Sequence, residues 1–448
     1  MMYLKAVSGA QQTKGTDRRG RNGDANKLIA ADRPAHDWYR FVLSFPPHLV
    51  RKYLERFRLN KSQCVLDPFC GTGTTLVECK KRGIPSVGVE ASPMAYHATR
   101  VKVDWGVDPY ALRDHAQKIA ATALATLEAD RIEDNPAFSP RNINVGTLRQ
   151  LDKVKYKLIL GNSISPLPLH KTLVLLDALK THSDPRYEWY ERLALARALV
   201  FHVSNLRFGP EVGVGPAKPD APVVAAWLTA VQTMVNDIHI LRGLNDMPAI
   251  AYRADARFIA DVIAPESVDA VITSPPYPNE KDYTRTTRLE SVLLGLINNK
   301  EELQALKRTL VRSNTRGVYQ SDEDDQIVAN HPEIQRIAEE IEARRIALGK
   351  TSGFERLYAR VTKLYFGGMA RHLADLREVL RPGAQLAYVV GDQASYLRVM
   401  IRTGQLLADI SQSMGYEVVG IDLFRTRLAT ATKEQLREEV VLLRWPGK

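Results

Sequence analysis

Two short peptides hold residue types that could do chemistry together. Val271-Ile272-Thr273-Ser274-Pro275-Pro276-Tyr277 runs from an apolar stretch into consecutive prolines. Proline fixes φ and removes an N–H donor, so the turn is rigid and presents carbonyl acceptors. Ser274 adds another acceptor and Tyr277 a flat aromatic face. Taken alone, such a turn is equally an ordinary proline-rich corner with a core tyrosine. The second peptide, Asp67-Pro68-Phe69-Cys70-Gly71-Thr72-Gly73-Thr74-Thr75, follows the apolar run Gln63–Leu66. Its glycines let backbone approach a ligand closely, and a helix starting near Thr74 aims free N–H groups at a carboxylate or phosphate. Glu90, about twenty residues on, is placed to accept hydrogen bonds from ribose hydroxyls. The third glycine of a dinucleotide fingerprint is missing and no phosphate-binding lysine follows, which argues against NAD and nucleoside triphosphates.

These peptides need a scaffold that brings strand ends together. Gln63–Leu66 reads as a buried strand, Thr74–Arg82 as a helix closed by Gly83, Ser86–Glu90 as a second strand and Pro93–Val101 as a second helix. That is the opening of a doubly wound α/β sheet, which binds ligands at the carboxyl ends of its strands. Helical spacing then dominates residues 104–247, at Ala111–Leu127, Thr172–Leu179, Tyr187–Val203 and Val223–Leu241. Strands resume at Ala249–Arg253 and Val268–Ile272. A charged helical insertion follows over 284–360, with Ser321–Asp325 expected as an exposed loop. The closing elements are a helix over Leu364–Leu380, a turn at Arg381-Pro382-Gly383, a strand Gln385–Val390, a helix Val399–Met414 and strands at Glu417–Leu423 and Glu439–Arg444.

The glycine peptide resembles the Asp-Pro-Phe-x-Gly-x-Gly-Thr motif of the DNA amino-methyltransferases, and Ser274-Pro275-Pro276-Tyr277 resembles the catalytic tetrapeptide of their cytosine-N4 members. The resemblance covers roughly residues 38–103 and 249–445. It implies a Rossmann-like class I methyltransferase sheet with two largely helical insertions. It also implies S-adenosylmethionine as cofactor, held by Asp67, Pro68, Phe69, Cys70, Gly71, Thr72, Gly73 and Thr74, with Asp67 near the ammonium, Glu90 on the ribose and Asp255 on the adenine. Phe45-Pro46-Pro47-His48-Leu49-Val50 is similar to the segment that closes over the methionine end; it reads equally as a helix start with proline first. In this reading Ser274 and the Pro275 carbonyl take the two N–H groups of an exocyclic amine, and Tyr277 stacks on a base flipped from the duplex. Serine in first place favours cytosine N4; adenine N6 is the alternative. RNA methylation, protein glutamine methylation and an inactive DNA-binding relative are further readings. A cytosine-C5 enzyme needs a cysteine nucleophile after proline, and Cys70 sits in the glycine loop instead.

Formal net charge is +11 and the pI about 9.4, a balance that suits a polyanion such as double-stranded DNA, or mere solubility. Lys281, Tyr283, Arg285 and Arg288, just past the tetrapeptide, are candidate DNA contacts. Lys307, Arg308, Arg312 and Arg316 offer a DNA clamp within 284–360, and Arg131, Arg141, Arg149, Lys153, Lys155 and Lys157 lie in 104–247. Both insertions compete for the role of reading base edges. Arg18, Arg19 and Arg21 belong to a flexible basic tail, residues 1–34. The remaining divisions are a core beginning over 35–103, continuing over 248–283 and ending over 361–448. Cys64, Cys70 and Cys79 read as reduced, buried thiols of a cytoplasmic protein, with no ligand set for a metal. No apolar run is long enough for a membrane span. A restriction or defence-system protein is a conceivable partner.

Overall fold

The computed structural model describes residues 28–40, 45–138, 144–208, 212–244, 247–428 and 435–447. Its strands are β1 (Val65–Asp67), β2 (Ser86–Val89), β3 (Leu206–Phe208), β4 (Val212–Val214), β5 (Ala249–Tyr252), β6 (Val268–Thr273), β7 (Leu380–Gly391), β8 (Glu417–Leu428) and β9 (Gln435–Arg444). Seven form one sheet in the order β5-β2-β1-β6-β7-β9-β8. The pairs from β5 to β7 are parallel, and β9 runs antiparallel between β7 and β8. This mostly parallel sheet is the expected doubly wound, Rossmann-like arrangement. β1 and β6 are direct neighbours, so the ends of the two chemical peptides meet at one sheet edge.

The helices that matter here are α1 (Pro47–Arg56), α2 (Thr74–Lys81), α3 (Pro93–Lys102), α4 (Pro109–Ala129), α5 (Lys153–Leu158), α6 (Pro166–Thr181), α7 (Glu188–Ala198), α8 (Val223–Leu241), α9 (Tyr358–Leu376) and α10 (Thr403–Ser413). Local chemistry sets several ends. Asp108 accepts from the N–H groups of Tyr110 and Ala111 ahead of α4, with Pro109 at its first position. Gly83, at φ 68°, turns the chain after α2. The central strands are buried on both faces because helices cover both, which is why they read as continuous apolar runs. One face packs Val65, Ile272 and Val440 against Val50 and Tyr53 of α1. The other packs Leu66, Val271 and Leu386 against Phe366 and Met369 of α9. A third cluster joins Trp38, Met94, Leu112, Trp227 and Leu289, so the 104–247 insertion shares its core with the segments flanking it.

Several boundaries differ from expectation. Arg381-Pro382-Gly383 is not a turn ahead of a strand: β7 already starts at Leu380, and the register against β6 shifts between Val268 and Ala270. Gly383, at φ 87°, donates to the Trp445 carbonyl, so turn-forming residues serve a bulge. The helix read as Leu364–Leu380 lies earlier, over α9. The helix read from Val399 begins at Thr403, because Ile401 bridges to Gln393 instead. Leu206–Phe208 and Val212–Val214 pair antiparallel as a separate two-stranded sheet. Ser321–Asp325 is not simply an exposed loop, since Asp324 is buried between two arginines. Within the expected tail, Ala30–Asp32 is a 3-10 turn, and Asp32 is buried against Arg51. Arg18, Arg19, Arg21 and Arg141 lie outside the described residues. No helix among the described residues is long and apolar enough to cross a membrane.

Candidate active site

Adjacency of β1 and β6 is reinforced by side chains. Thr273, the last residue of β6, donates to Asp67 Oδ1 at 2.6 Å, and Thr75 in α2 donates to the Ile272 carbonyl at 3.1 Å. A cavity of about 430 Å³ opens above these ends. Phe45, Pro68, Phe69, Cys70, Gly71, Thr72, Thr74, Glu90 and Asp255 line it, together with all four residues of Ser274–Tyr277. Asp67 and Gly73 do not. Asp67 is fully buried, accepts from the Phe69 N–H at 3.2 Å as well as from Thr273, and so shapes the turn from beneath. Burial pushes its carboxyl up to about 6. Through Oδ1 it ties β1 to β6, while Oδ2 is buried with no hydrogen-bond partner among the described residues. Gly73, at φ 84°, serves packing, because a Cβ there would sit 2.9 Å from Thr99 Cγ2.

The glycine loop is held from several sides. Gly71 donates to Glu90 Oε2 at 2.9 Å, and Thr99 donates to the Gly71 carbonyl at 2.8 Å. Glu90 Oε1 accepts from Ser92 N–H at 2.7 Å, so the carboxylate is fixed in the cavity wall with lone pairs left over. Burial raises its carboxyl to about 7, against the lowering effect of those N–H bonds. Such a fixed acceptor fits a vicinal diol. Phe69 supplies an apolar face, held edge-on to His372 with ring centroids 4.9 Å apart. The Cys70 thiol is buried and pushed far up by desolvation, so it is no nucleophile. Cys79 is likewise buried, whereas Cys64 is only half-buried.

Asp255 lies in a charge network the sequence did not announce. Arg257 grips both its carboxylate oxygens, with the shorter bond at 2.7 Å. The same guanidinium donates to Asp324 Oδ2 at 2.7 Å and to the Arg308 carbonyl at 2.6 Å. Arg371 completes the set on Asp324 Oδ1 at 2.7 Å. The second insertion thus supports the acid on the cavity wall.

At the tetrapeptide, the Ser274 hydroxyl donates to the Val389 carbonyl on β7 at 3.1 Å. That fixes the hydroxyl proton away from the cavity and leaves the oxygen as an acceptor. The Tyr277 N–H donates to Tyr283 Oη at 3.3 Å. The Tyr277 ring lies over β7, where a Cβ on Gly391 would come within 3.0 Å of its Cε2. Burial pushes the Tyr277 phenol well up, so the ring stays neutral. Beyond it, Glu280 accepts from the Thr315 N–H at 2.9 Å, and the Lys281 carbonyl accepts from Asn314 at 3.1 Å. These bonds fold segment 307–317 into the cavity wall.

The candidate DNA contacts divide. Lys281 and Tyr283 line the cavity. Arg288 does not: it donates to Thr284 Oγ1 at 2.6 Å and to the Leu158 carbonyl ending α5, an internal staple. Arg285 is half-buried and off the cavity wall. Arg312 is buried and bidentate to Asp322, and Lys307 pairs with Asp282 at 2.9 Å; both also line the cavity. Sequence reading missed Phe424, Arg425, Arg427 and Glu438, which reach the cavity from β8 and β9. They carry no motif; only strand order brings them there.

A family model described as DNA methylase matches residues 14–100, which includes the glycine loop and Glu90. Type II methyltransferase M.BsoBI of Geobacillus stearothermophilus is 24% identical, over 98% of this chain and 89% of its own length. Both matches support an amino-methyltransferase family for the chain. It is also similar to Type II methyltransferase M.AvaI of Anabaena variabilis, 22% identical over 92% of this chain and 87% of that one. Type II methyltransferase M.MjaII of Methanocaldococcus jannaschii is 38% identical over 27% of this chain and 20% of its own length. The last match is local; the first two run through both insertions.

Proposed function

We propose that this chain transfers a methyl group from S-adenosylmethionine to the exocyclic amine of a base flipped out of double-stranded DNA, with cytosine N4 the preferred acceptor. The observation that carries the proposal is the shared cavity: the loop around Gly71 and the turn around Pro275 face one space. When bound, the cofactor supplies an electrophilic methyl on a sulfonium. Glu90 would take the ribose hydroxyls, Asp255 the adenine edge, and Phe45 and Phe69 the apolar flanks.

An exocyclic base amine is a weak nucleophile because its lone pair is delocalised into the ring. Ser274 Oγ and the Pro275 carbonyl accept its two N–H bonds and favour a tetrahedral nitrogen whose lone pair faces the donor. Both acceptors are rigid, one through Val389 and the other through consecutive prolines, so little reorganisation is needed during transfer. Tyr277 holds the extruded ring flat, which supplies orientation. Serine rather than an acidic or amide residue in first place supports cytosine over adenine.

The test is nucleoside mass spectrometry on DNA incubated with the protein and S-adenosylmethionine. N4-methylcytosine is the expected product, and N6-methyladenine would reverse the choice of base. Tyr277→Ala is expected to abolish detectable transfer while binding S-adenosylhomocysteine normally. Equal methylation by parent and variant would overturn the assignment of the ring.

A further inference from the structure

The wall beside Tyr277 carries a charge arrangement outside both chemical peptides. Arg425 lies opposite Glu438 across the β8–β9 pair, and Arg427 lies two residues further on, on the same face. Arg425 Nε donates to Glu438 Oε2 at 2.5 Å, and Arg427 Nε lies 3.7 Å from Glu438 Oε1. A Cβ on Gly391 would touch Tyr277 Cε2 at 3.0 Å and Glu438 Cγ at 3.4 Å, so the carboxylate and the tyrosine ring lie side by side over that glycine. Two guanidiniums against one carboxylate leave net positive charge at the edge of the base pocket. Arg427 is the outer of the two, with 44% of its side chain exposed. Its other contacts among the described residues, to the Asp392 carbonyl and Gln393 Oε1, are long at 3.5 Å.

We propose that Arg427, steadied by Glu438 and backed by Arg425, binds the DNA backbone phosphate adjoining the extruded nucleotide. The proposal rests on the base-flipping reading above and adds an anchor to it. A base stacked on Tyr277 brings its own sugar and phosphate to the rim of the pocket. A guanidinium offers five N–H donors in a planar fork that matches two phosphate oxygens. Glu438 sets the fork's direction without cancelling the charge. Phosphate contact of this kind fixes position and carries no sequence information.

The experiment measures binding of a short duplex carrying one mismatched cytosine, which lowers the cost of extrusion, in the presence of S-adenosylhomocysteine and across a potassium chloride series. Arg427→Ala is expected to weaken binding at low salt and to reduce the slope of log affinity against log salt by about 0.9, the value for one lost phosphate contact. Arg427→Lys is expected to keep the parent slope. S-adenosylhomocysteine affinity is expected to be unchanged in both, which also shows that they fold. An unchanged slope in the alanine variant, or a lysine variant as flat as alanine, would overturn the phosphate contact. Failure of the function itself would show separately, as parent protein that yields no methylated nucleoside.

Discussion

Glu90 is held near its own titration point. Burial raises its carboxyl to about 7, and the backbone N–H groups of Gly71 and Ser92 do not fully offset the desolvation. Ribose hydroxyls would donate to the charged form, so binding pulls that pKa down and releases a proton. S-adenosylhomocysteine affinity is therefore expected to climb as pH rises through about 7 and to level off above it, measured by calorimetry. Glu90→Gln is expected to bind more weakly at high pH and to lose the slope. The stability consequence has the opposite sign. The folded-state pKa lies above the unfolded one, so the ligand-free protein loses stability as pH rises from the ordinary carboxylate range to about 7. Gly391 makes a second residue-scale case. Its missing Cβ is what lets the Tyr277 ring lie on β7. Gly391→Ala is expected to cut turnover by about a hundredfold with cofactor affinity kept, because a small displacement of a positioning group is costly. A variant with parental turnover would show that the ring has room to move. The glycine peptide, Glu90 and the tetrapeptide were legible because their chemistry is local in sequence. Asp67 lies beneath the loop and off the cavity wall, a placement that a motif does not give.

At the scale of elements, the acid on the cavity wall depends on how segment 321–328 sits on α9. Gly367 makes that seat possible: a Cβ there would lie 1.8 Å from the Asp324 carbonyl oxygen. Gly367→Ala must push the segment off, which is expected to cost about 1–3 kcal/mol in urea melts. The shift would also disturb Asp324, Arg257 and Asp255, so S-adenosylhomocysteine affinity is expected to fall in the same variant. Unchanged affinity would separate the network from the cofactor site. Strand and helix positions were readable where apolar period and turn residues agreed, as at α2, β2 and α8. They were misplaced where long-range pairing overrode local preference. Pro382 and Gly383 look like a turn, yet tertiary pairing with β6 and β9 recruits them into β7 as a bulge. Acidic Ser321–Asp325 looks like solvent-exposed loop until Arg257 and Arg371 are placed beside it.

At the scale of the molecule, the large insertion is not a detachable module. Trp38 is fully buried and donates to Asp237 of α8 at 2.7 Å, while Leu289 and Leu293 pack into the same cluster from beyond the tetrapeptide. Trp38→Ala is expected to cost about 3–5 kcal/mol, read from thermal or urea unfolding. Unfolding followed at the insertion and at the sheet is expected to be one transition; two separate transitions would mark independent domains. Such sharing was invisible to a reading that divided the chain by local pattern, because a helix shows its apolar face but not what covers it. The residue next to Trp38 makes a further long-range contact. Tyr39 hydrogen-bonds Glu290, 251 residues downstream. During synthesis at about 5–20 residues per second, that tyrosine waits on the order of ten to fifty seconds for its acceptor to emerge. The apolar surface of Trp38 and Tyr39 stays without its final cover for that interval, so a nascent chain stalled ahead of Glu290 should be a good client for chaperones that hold unpaired aromatic segments.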